Sequence, residues 1–258
     1  MNHRLIQANR SYWTQRAPGY SEVNREELAT EQHDRWQKTL TGCIARRFPH
    51  RRPEDIRVLE VGTGPGFFAI LLAEAGYRVT AIDLTPSMLE AARENAGALE
   101  SRIEFIEMNA QALDFEDGLF DVVVSRNVTW NLPEPERGYA EWARVLRHGG
   151  LIINFDANWY RYLIDDDARE AYARDRNNSL DGAMGDFNVG EGFDRMEEIA
   201  RHMPLTRVQR PKWDVQVLNR LRLGADADVR VWERTWTDRE KVNFASTPMF
   251  MVCGYKEA

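Results

Sequence analysis

The sequence predicts a doubly wound α/β fold, a mostly parallel sheet of seven strands with helices on both faces. Three observations carry this. Short β-rich runs alternate with helical stretches between Ile56 and Phe155. The run Asp121-Val122-Val123-Val124 lacks polar alternation, as a strand buried on both sides does. The first strand ends in a glycine-rich turn that opens a helix. Such β-α-β-α order implies parallel strands joined by right-handed crossovers.

In chain order, Leu28, Trp36, Leu40, Ile44 and Phe48 recur at helical spacing between Asn24 and Phe48. They belong to a helical cap or lid over residues 1–50, closed by Pro49 and Pro53. The core over 51–156 begins with a strand at 56–61 and a helix from Phe67 to Ala75, ended by Gly76. A second strand at 78–82 leads to a helix from Pro86 to about Ala96, with Thr85 at the N-cap. Strands follow at 103–108, 120–125 and 151–155. The helix before the last of these starts near Pro135 and ends at His148-Gly149-Gly150. After Asp156 the alternation stops, and 157–212 reads as an insertion rich in charge, glycine and aromatics. A helix at 215–223, a strand at 229–233 and a last strand at 249–255 complete the sheet within 213–258.

Composition narrows the function. A formal net charge of −7 argues against a phosphate-backbone binder, so no nucleic-acid partner is expected. The runs Arg46-Arg47 and Arg51-Arg52 read as solvated surface. Cys43 and Cys253 stand far apart, and the five histidines have no metal-ligand spacing; no metal or disulfide scaffold is expected. The triplet Asp165-Asp166-Asp167 reads as a helix start. No window approaches the ~20 apolar residues of a membrane span, and the N-terminus lacks a signal-like apolar stretch. A reducing cytoplasmic setting, as monomer or homodimer, is the expectation.

In open α/β sheets ligands bind beyond the carboxyl ends of the strands, where strand order reverses. Four stretches fall at such ends. Glu60-Val61-Gly62-Thr63-Gly64-Pro65-Gly66-Phe67 is a strand-to-helix turn whose glycines let a ligand approach the backbone. Phe67 stands where a dinucleotide fingerprint needs glycine, and Phe67-Phe68-Ala69 excludes a phosphate-binding P-loop. Asp83 ends the second strand, where a carboxylate can accept from vicinal ribose hydroxyls or, alternatively, cap the next turn. Asn109-Ala110-Gln111-Ala112 follows the third strand, where it can meet an adenine edge or form an ordinary loop. Ser125-Arg126-Asn127 follows the fourth, with Trp130 close behind and suited to either the reaction or plain packing.

This set, in this order, resembles the class I S-adenosylmethionine-dependent methyltransferase superfamily, of the small-molecule type. The matching stretches are LEVGTGPGFFAILLAEAGYRVTAIDLTPSMLEAAREN, MNAQAL and LFDVVVSRNVTWNLPEPERGYAEWARVLRHGGLIINFD. They cover about 57–156, and the terminal strands loosely. The resemblance implies a Rossmann-like sheet with a reversed last strand, and S-adenosylmethionine as cofactor, leaving S-adenosylhomocysteine. It implies that Glu60, Gly62, Thr63, Gly64 and Gly66 hold the methionine part, Asp83 the ribose, Leu84 and Met88 the adenine ring, and Asn109, Ala110 and Gln111 its edge. Ser125 and Arg126 join this cofactor set. The stretch from Ser11 to Ser21, with Tyr12, Trp13 and Tyr20, is similar to relatives in which an aromatic segment covers the cofactor; packing on the first helix is the alternative. Two departures stand out. Many relatives carry aspartate where Asn109 stands, and often Lys-Pro-Gly-Gly where this chain has Arg147-His148-Gly149-Gly150. His148 therefore reads as structural.

Methyl transfer from a sulfonium is an in-line displacement in which a protein contributes mainly orientation and exclusion of water. A general base is needed only when the acceptor must lose its proton early. The sequence offers Asn127, Asp156 and His33 as catalytic candidates and singles out none. Asn127, Trp130, Asn158, Trp159 and Tyr160 are the expected acceptor contacts. Trp159, Tyr160, Tyr162, Tyr172 and Phe187 of the insertion are expected to wall a compact chamber with the N-terminal helices. The expected function is methyl transfer to a small molecule. The alternative is a regulatory protein that binds the cofactor without turnover; a nicotinamide oxidoreductase is disfavoured by Phe67.

Overall fold

A computed structural model describes residues 2–181 and 193–257; Phe187 lies outside the described residues. The chain opens with two helices, α1 (Asn2–Ala29) and α2 (Glu31–Arg47). The single helix expected from Asn24 to Phe48 is broken at Thr30, whose extended backbone (φ −118°, ψ −179°) turns the chain. The helical spacing runs on through the break because Leu28 and Trp36 serve the same core from both sides of it.

The doubly wound core then follows in order. It comprises β1 (Arg57–Val61), α3 (Phe67–Glu74), β2 (Arg78–Asp83), α4 (Pro86–Ala96), β3 (Ile103–Glu107), β4 (Phe120–Arg126), α5 (Pro135–Val145) and β5 (Leu146–Asp156). The insertion carries α6 (Asp166–Asp181) and α7 (Phe193–Arg201), and the chain ends with α8 (Lys212–Arg220), β6 (Leu223–Asp228), α9 (Trp232–Thr235), α10 (Asp238–Asn243) and β7 (Phe250–Lys256). The seven strands stand in the order β3-β2-β1-β4-β5-β7-β6. The first five pair in parallel, and β7 runs antiparallel to β5 and β6. The order reverses between β1 and β4, so the ligand crevice opens above their carboxyl ends.

Successive residues of these strands feed opposite faces of the sheet. Val122 and Val124 of β4 join Trp36, Phe68 and Phe155 under α2 and α3. Val123 joins Tyr139 and Trp142 under α5 and α8. A third apolar cluster draws Tyr12 of α1 together with Trp130, Tyr162 and Met196, so the N-terminal helix and the insertion pack on each other.

Two sequence expectations are corrected. The strand expected at Val229–Glu233 lies instead at Leu223–Asp228, and the helix before it ends at Arg220. Its small and acidic residues have little strand preference of their own. An edge strand here is held by its ladder with β7, from Leu223 opposite Lys256 to Asp228 opposite Met251. Val231 is buried and Trp232 opens α9. The helix before strand five does not reach His148-Gly149-Gly150; it ends at Val145, and those residues lie inside β5.

Candidate active site

The turn after β1 is shaped by close approach. Gly62 (φ +68°) packs so near Val128 that a Cβ there would sit 2.4 Å from its Cγ2. Its N–H and that of Thr63 donate to Ile82 O at 2.8 and 2.9 Å, tying the turn to the end of β2. Gly64 (φ +54°) donates its N–H to Asp83 Oδ2 at 2.9 Å, and Asp83 Oδ1 accepts from Thr85 N at 2.9 Å. One carboxylate therefore clasps both loops. Each of its oxygens keeps acceptor capacity for a further donor. Burial raises the Asp83 carboxyl above the ordinary range, opposed by the N–H groups of Gly64, Thr85 and Leu84. Thr85 makes no side-chain cap; its hydroxyl, like its N–H, is turned to Asp83 instead.

Glu60, 3% exposed, accepts a 2.7 Å hydrogen bond from Thr63 Oγ1, and burial pushes its carboxyl up to about 8. Across the crevice, Asn109 Oδ1 accepts from the backbone N–H and side-chain amide of Gln111 at 3.0 and 3.3 Å. Gln111 Oε1 in turn accepts from Glu134 N at 2.6 Å, and Ala110 O accepts from Trp142 Nε1 at 3.0 Å. These groups brace their loop against α5 while lining the cavity, so the Asn109 oxygen is already engaged within the turn.

The cavity above β1 and β4 spans about 980 Å³, the open solvent at its mouth included. Glu60, Gly62, Thr63, Gly64, Asp83, Leu84, Met88, Asn109, Ala110, Gln111 and Arg126 all face it. Helix α1 forms its roof. Ile6, Asn9, Arg10, Trp13, Tyr20 and Asn24 line it, and their spacing of three and four residues is one helical stripe. The roof is fastened at several points. Arg126 donates two bonds to Glu27, at 2.8 and 2.9 Å, while its guanidinium lies 4.5 Å from the Phe67 ring centre. Asn95 Nδ2 bridges Ser21 Oγ at 3.1 Å and Pro65 O at 3.0 Å. Asn9 Nδ2 donates to Asn131 O at 2.9 Å, and the side-chain oxygens of both asparagines are buried without a partner.

A second compartment of about 470 Å³ adjoins the first. Trp13, Tyr20 and Asn127 line both and form the throat between them. Trp130, Trp159, Tyr160 and Tyr162 complete the chamber. Asn127 is held in the left-handed region (φ +60°): its N–H donates to Phe155 O at 2.8 Å and its carbonyl accepts from Trp130 Nε1 at 2.9 Å. Its side chain meets the Tyr20 hydroxyl.

Other expected site residues lie elsewhere. Asp156 is fully buried, accepting from Thr129 Oγ1 (2.6 Å), Trp130 N (3.0 Å) and Arg210 Nη1 (2.6 Å). Arg210 also pairs with Asp214, which accepts from the Tyr139 hydroxyl at 2.7 Å. Asn154 links Tyr139, Thr129 and Ser125 into the same network. Asp156 and Ser125 thus hold the ground beneath Trp130 and line neither cavity. Asn158 exchanges bonds with the backbone of Arg210, behind the chamber wall. His33 sits on α2 between Asp34 and Glu74, away from both cavities. Gly66 starts α3 against Ala92, and Tyr12 packs edge-on to Trp13 outside the cavities. Among the described residues no group of His, Cys, Asp or Glu is arranged to hold a metal, and no helix is long and apolar enough to cross a membrane.

Sequence reasoning missed Asn9, Arg10, Asn24 and Asn131 at the cavity, and Arg210 and Asp214 beneath it. The stripe on α1 left a signal in the residue spacing, masked by Pro18 within the helix. The Asp156–Arg210 pair was not, since nothing local joins residues so far apart in the chain.

A methyltransferase domain model matches residues 59–154. A phosphatidylethanolamine N-methyltransferase of Cereibacter sphaeroides is 43% identical over 99 residues, 38% of this chain and 48% of that protein. A demethylmenaquinone methyltransferase of Thermus thermophilus is 33% identical over 139 residues, 53% of this chain and 60% of that protein. These matches span less than two thirds of either relative. The crystal structure of a SAM-dependent methyltransferase from Aquifex aeolicus is alike in fold, with a TM-score of 0.56 at 16% identity, covering 94% of this chain and 97% of that one.

Proposed function

The chain belongs, through residues 59–154, to the class I S-adenosylmethionine-dependent methyltransferase superfamily, and from that premise we propose that it moves a methyl group from S-adenosylmethionine to a small-molecule acceptor by in-line displacement. The observation that carries the reading is the Asp83 clasp, in which one carboxylate joins the glycine turn to the end of β2 at the wall of one cavity.

The donor set fits the cofactor. Asp83 has acceptor capacity for vicinal hydroxyls, and buried Glu60 can pair with an ammonium group. Gly62 and Gly64 leave backbone open to the methionine part, and Leu84 and Met88 offer apolar surface to a purine. S-adenosylmethionine supplies an electrophilic methyl on a sulfonium, with the leaving group already activated. Trp13 and Tyr20 close the throat against water and present aromatic rings near a positive centre. Asn127 and the chamber rings orient the acceptor towards that throat. The relatives named phosphatidylethanolamine N-methyltransferase and demethylmenaquinone methyltransferase support a small-molecule acceptor.

Titration calorimetry with S-adenosylmethionine tests the reading. Micromolar-range binding that disappears in Asp83→Ala is expected; a folded wild-type protein with no binding heat at any temperature overturns it.

A further inference from the structure

The chamber beyond the throat has a composition that selects among acceptor chemistries. Its six aromatic rings and one carboxamide include no carboxylate, histidine or lysine among the described residues. The rings do not form a parallel slot. Trp13 meets Tyr20 at 64°, Trp130 meets Tyr160 at 39° and Tyr160 meets Tyr162 at 38°. A flat ring seeks two parallel faces to stack between. Rings tilted to one another around a common space offer no such slot and suit a compact positive group better, as aromatic cages do. Asn127 Oδ1, at the throat, is a buried acceptor without a partner. An N–H donor placed there removes an unmet hydrogen bond in a low-dielectric site.

We propose, resting on the methyltransferase reading above, that this chamber is the acceptor site and that it takes an amine, so that nitrogen is methylated. The amine gives up its ammonium proton to solvent before it is enclosed. It then donates one N–H to Asn127 Oδ1, which turns its lone pair towards the throat while the rings face the positive charge that returns to nitrogen on transfer. That pair forms the new bond to the methyl carbon as the carbon–sulfur bond breaks, its electrons returning to sulfur as a thioether. The positive charge moves from sulfur to nitrogen. A primary or secondary amine then releases one proton to solvent after leaving the chamber, so no base is needed during transfer.

The second support is that no base lines the chamber among the described residues. A phenol, thiol or carbon acid must lose its proton as it attacks or before. Among the described residues the only hydroxyls lining the chamber belong to Tyr20, Tyr160 and Tyr162, and burial raises all three above the ordinary tyrosine range, so they stay protonated near neutrality. The charges behind the rings are of both signs: Glu197, which accepts from the Tyr162 hydroxyl at 2.7 Å, Arg16, and the Arg126–Glu27 pair beside Tyr20. Recognition of a cation is therefore left to the rings themselves.

The test uses the full-length protein saturated with S-adenosylhomocysteine, titrated with choline and with its neutral isostere 3,3-dimethyl-1-butanol, and separately with hydroquinone. Choline is expected to bind at least tenfold more tightly than the isostere. That preference is expected to shrink in Tyr160→Leu while S-adenosylhomocysteine affinity holds within twofold. Equal binding of the two isosteres, binding of neither, or preference for hydroquinone overturns the amine assignment in a protein that still binds S-adenosylhomocysteine. Failure to bind S-adenosylhomocysteine overturns the underlying methyltransferase reading, and this inference with it. The wild-type comparison stands alone if Tyr160→Leu does not fold.

Discussion

The two compartments above the sheet are built by different means. The larger cavity is lined chiefly by loops directly after β1, β2, β3 and β4, and its floor is fastened at short range: Gly64 to Asp83, Thr63 to Glu60, Gln111 to Asn109. Its α1 roof is tied on by the long-range Arg126–Glu27 and Asn9–Asn131 bonds. The aromatic chamber is assembled from α1, the β4 loop and the insertion, and the network beneath it spans long stretches of chain: Thr129 to Asp156, Asp156 to Arg210, Tyr139 to Asp214. The floor of the first is locally determined. The second is aromatic and depends on a buried charge network beneath it. A fold can thus keep its cofactor loops while the chamber changes with the elements packed over it.

That contrast can be broken or sharpened by substitution. The largest effect is expected from Arg210→Met, which leaves Asp156 and Asp214 buried without their cation. Loss of one partner of such a network costs about 3–5 kcal/mol, read as a fall in the urea midpoint. A loss below about 1 kcal/mol would mean that the network contributes little to the chamber floor. Next comes Asp83→Ala. Charge-assisted hydrogen bonds are worth about 1.5–3 kcal/mol each, so S-adenosylhomocysteine affinity should fall at least about a hundredfold, with the circular dichroism spectrum retained.

A smaller change is expected at the throat. Asn127→Gly keeps the left-handed backbone available and removes only the amide, so turnover should fall by about tenfold, the value of one ordinary hydrogen bond near 1.4 kcal/mol. Turnover equal to wild type would remove Asn127 from acceptor orientation.

A different kind of effect is a slope with pH. The Glu60 carboxyl is raised to about 8 by burial, from an ordinary 4.5. The folded protein therefore holds a proton that the unfolded chain releases. The associated stability is fully present below 4.5 and is lost as pH rises through about 8, at most about 1.4 kcal/mol per pH unit between them. Glu60→Gln should flatten this dependence in urea titrations from pH 5 to 9. An unchanged slope would show that Glu60 is ionised throughout.

The legible part of the molecule follows the same division. The strands around the crevice could be read because a two-sided core demands unbroken apolar runs, as in Val122-Val123-Val124, and because Gly62 and Gly64 mark a turn that bulkier residues cannot make. Asp83 stood out by its place at the end of β2. The edge strand Leu223–Asp228 was illegible, since its small and acidic residues are held by pairing with β7 and not by their own preference. Asp156 looked reactive as a carboxylate at a strand end, and only the folded chain brings Arg210 to it. The stripe from Ile6 to Asn24 was present in the spacing but hidden by Pro18 and Gly19, which interrupt the usual pattern of a helix while α1 continues through them.

The most direct test is a crystal structure of the complex with S-adenosylhomocysteine. The account predicts both ribose hydroxyls within hydrogen-bonding distance of the Asp83 carboxylate, with the sulfur facing the throat formed by Trp13, Tyr20 and Asn127. A nucleoside bound elsewhere, or an Asp83 turned away from the ribose, would contradict it.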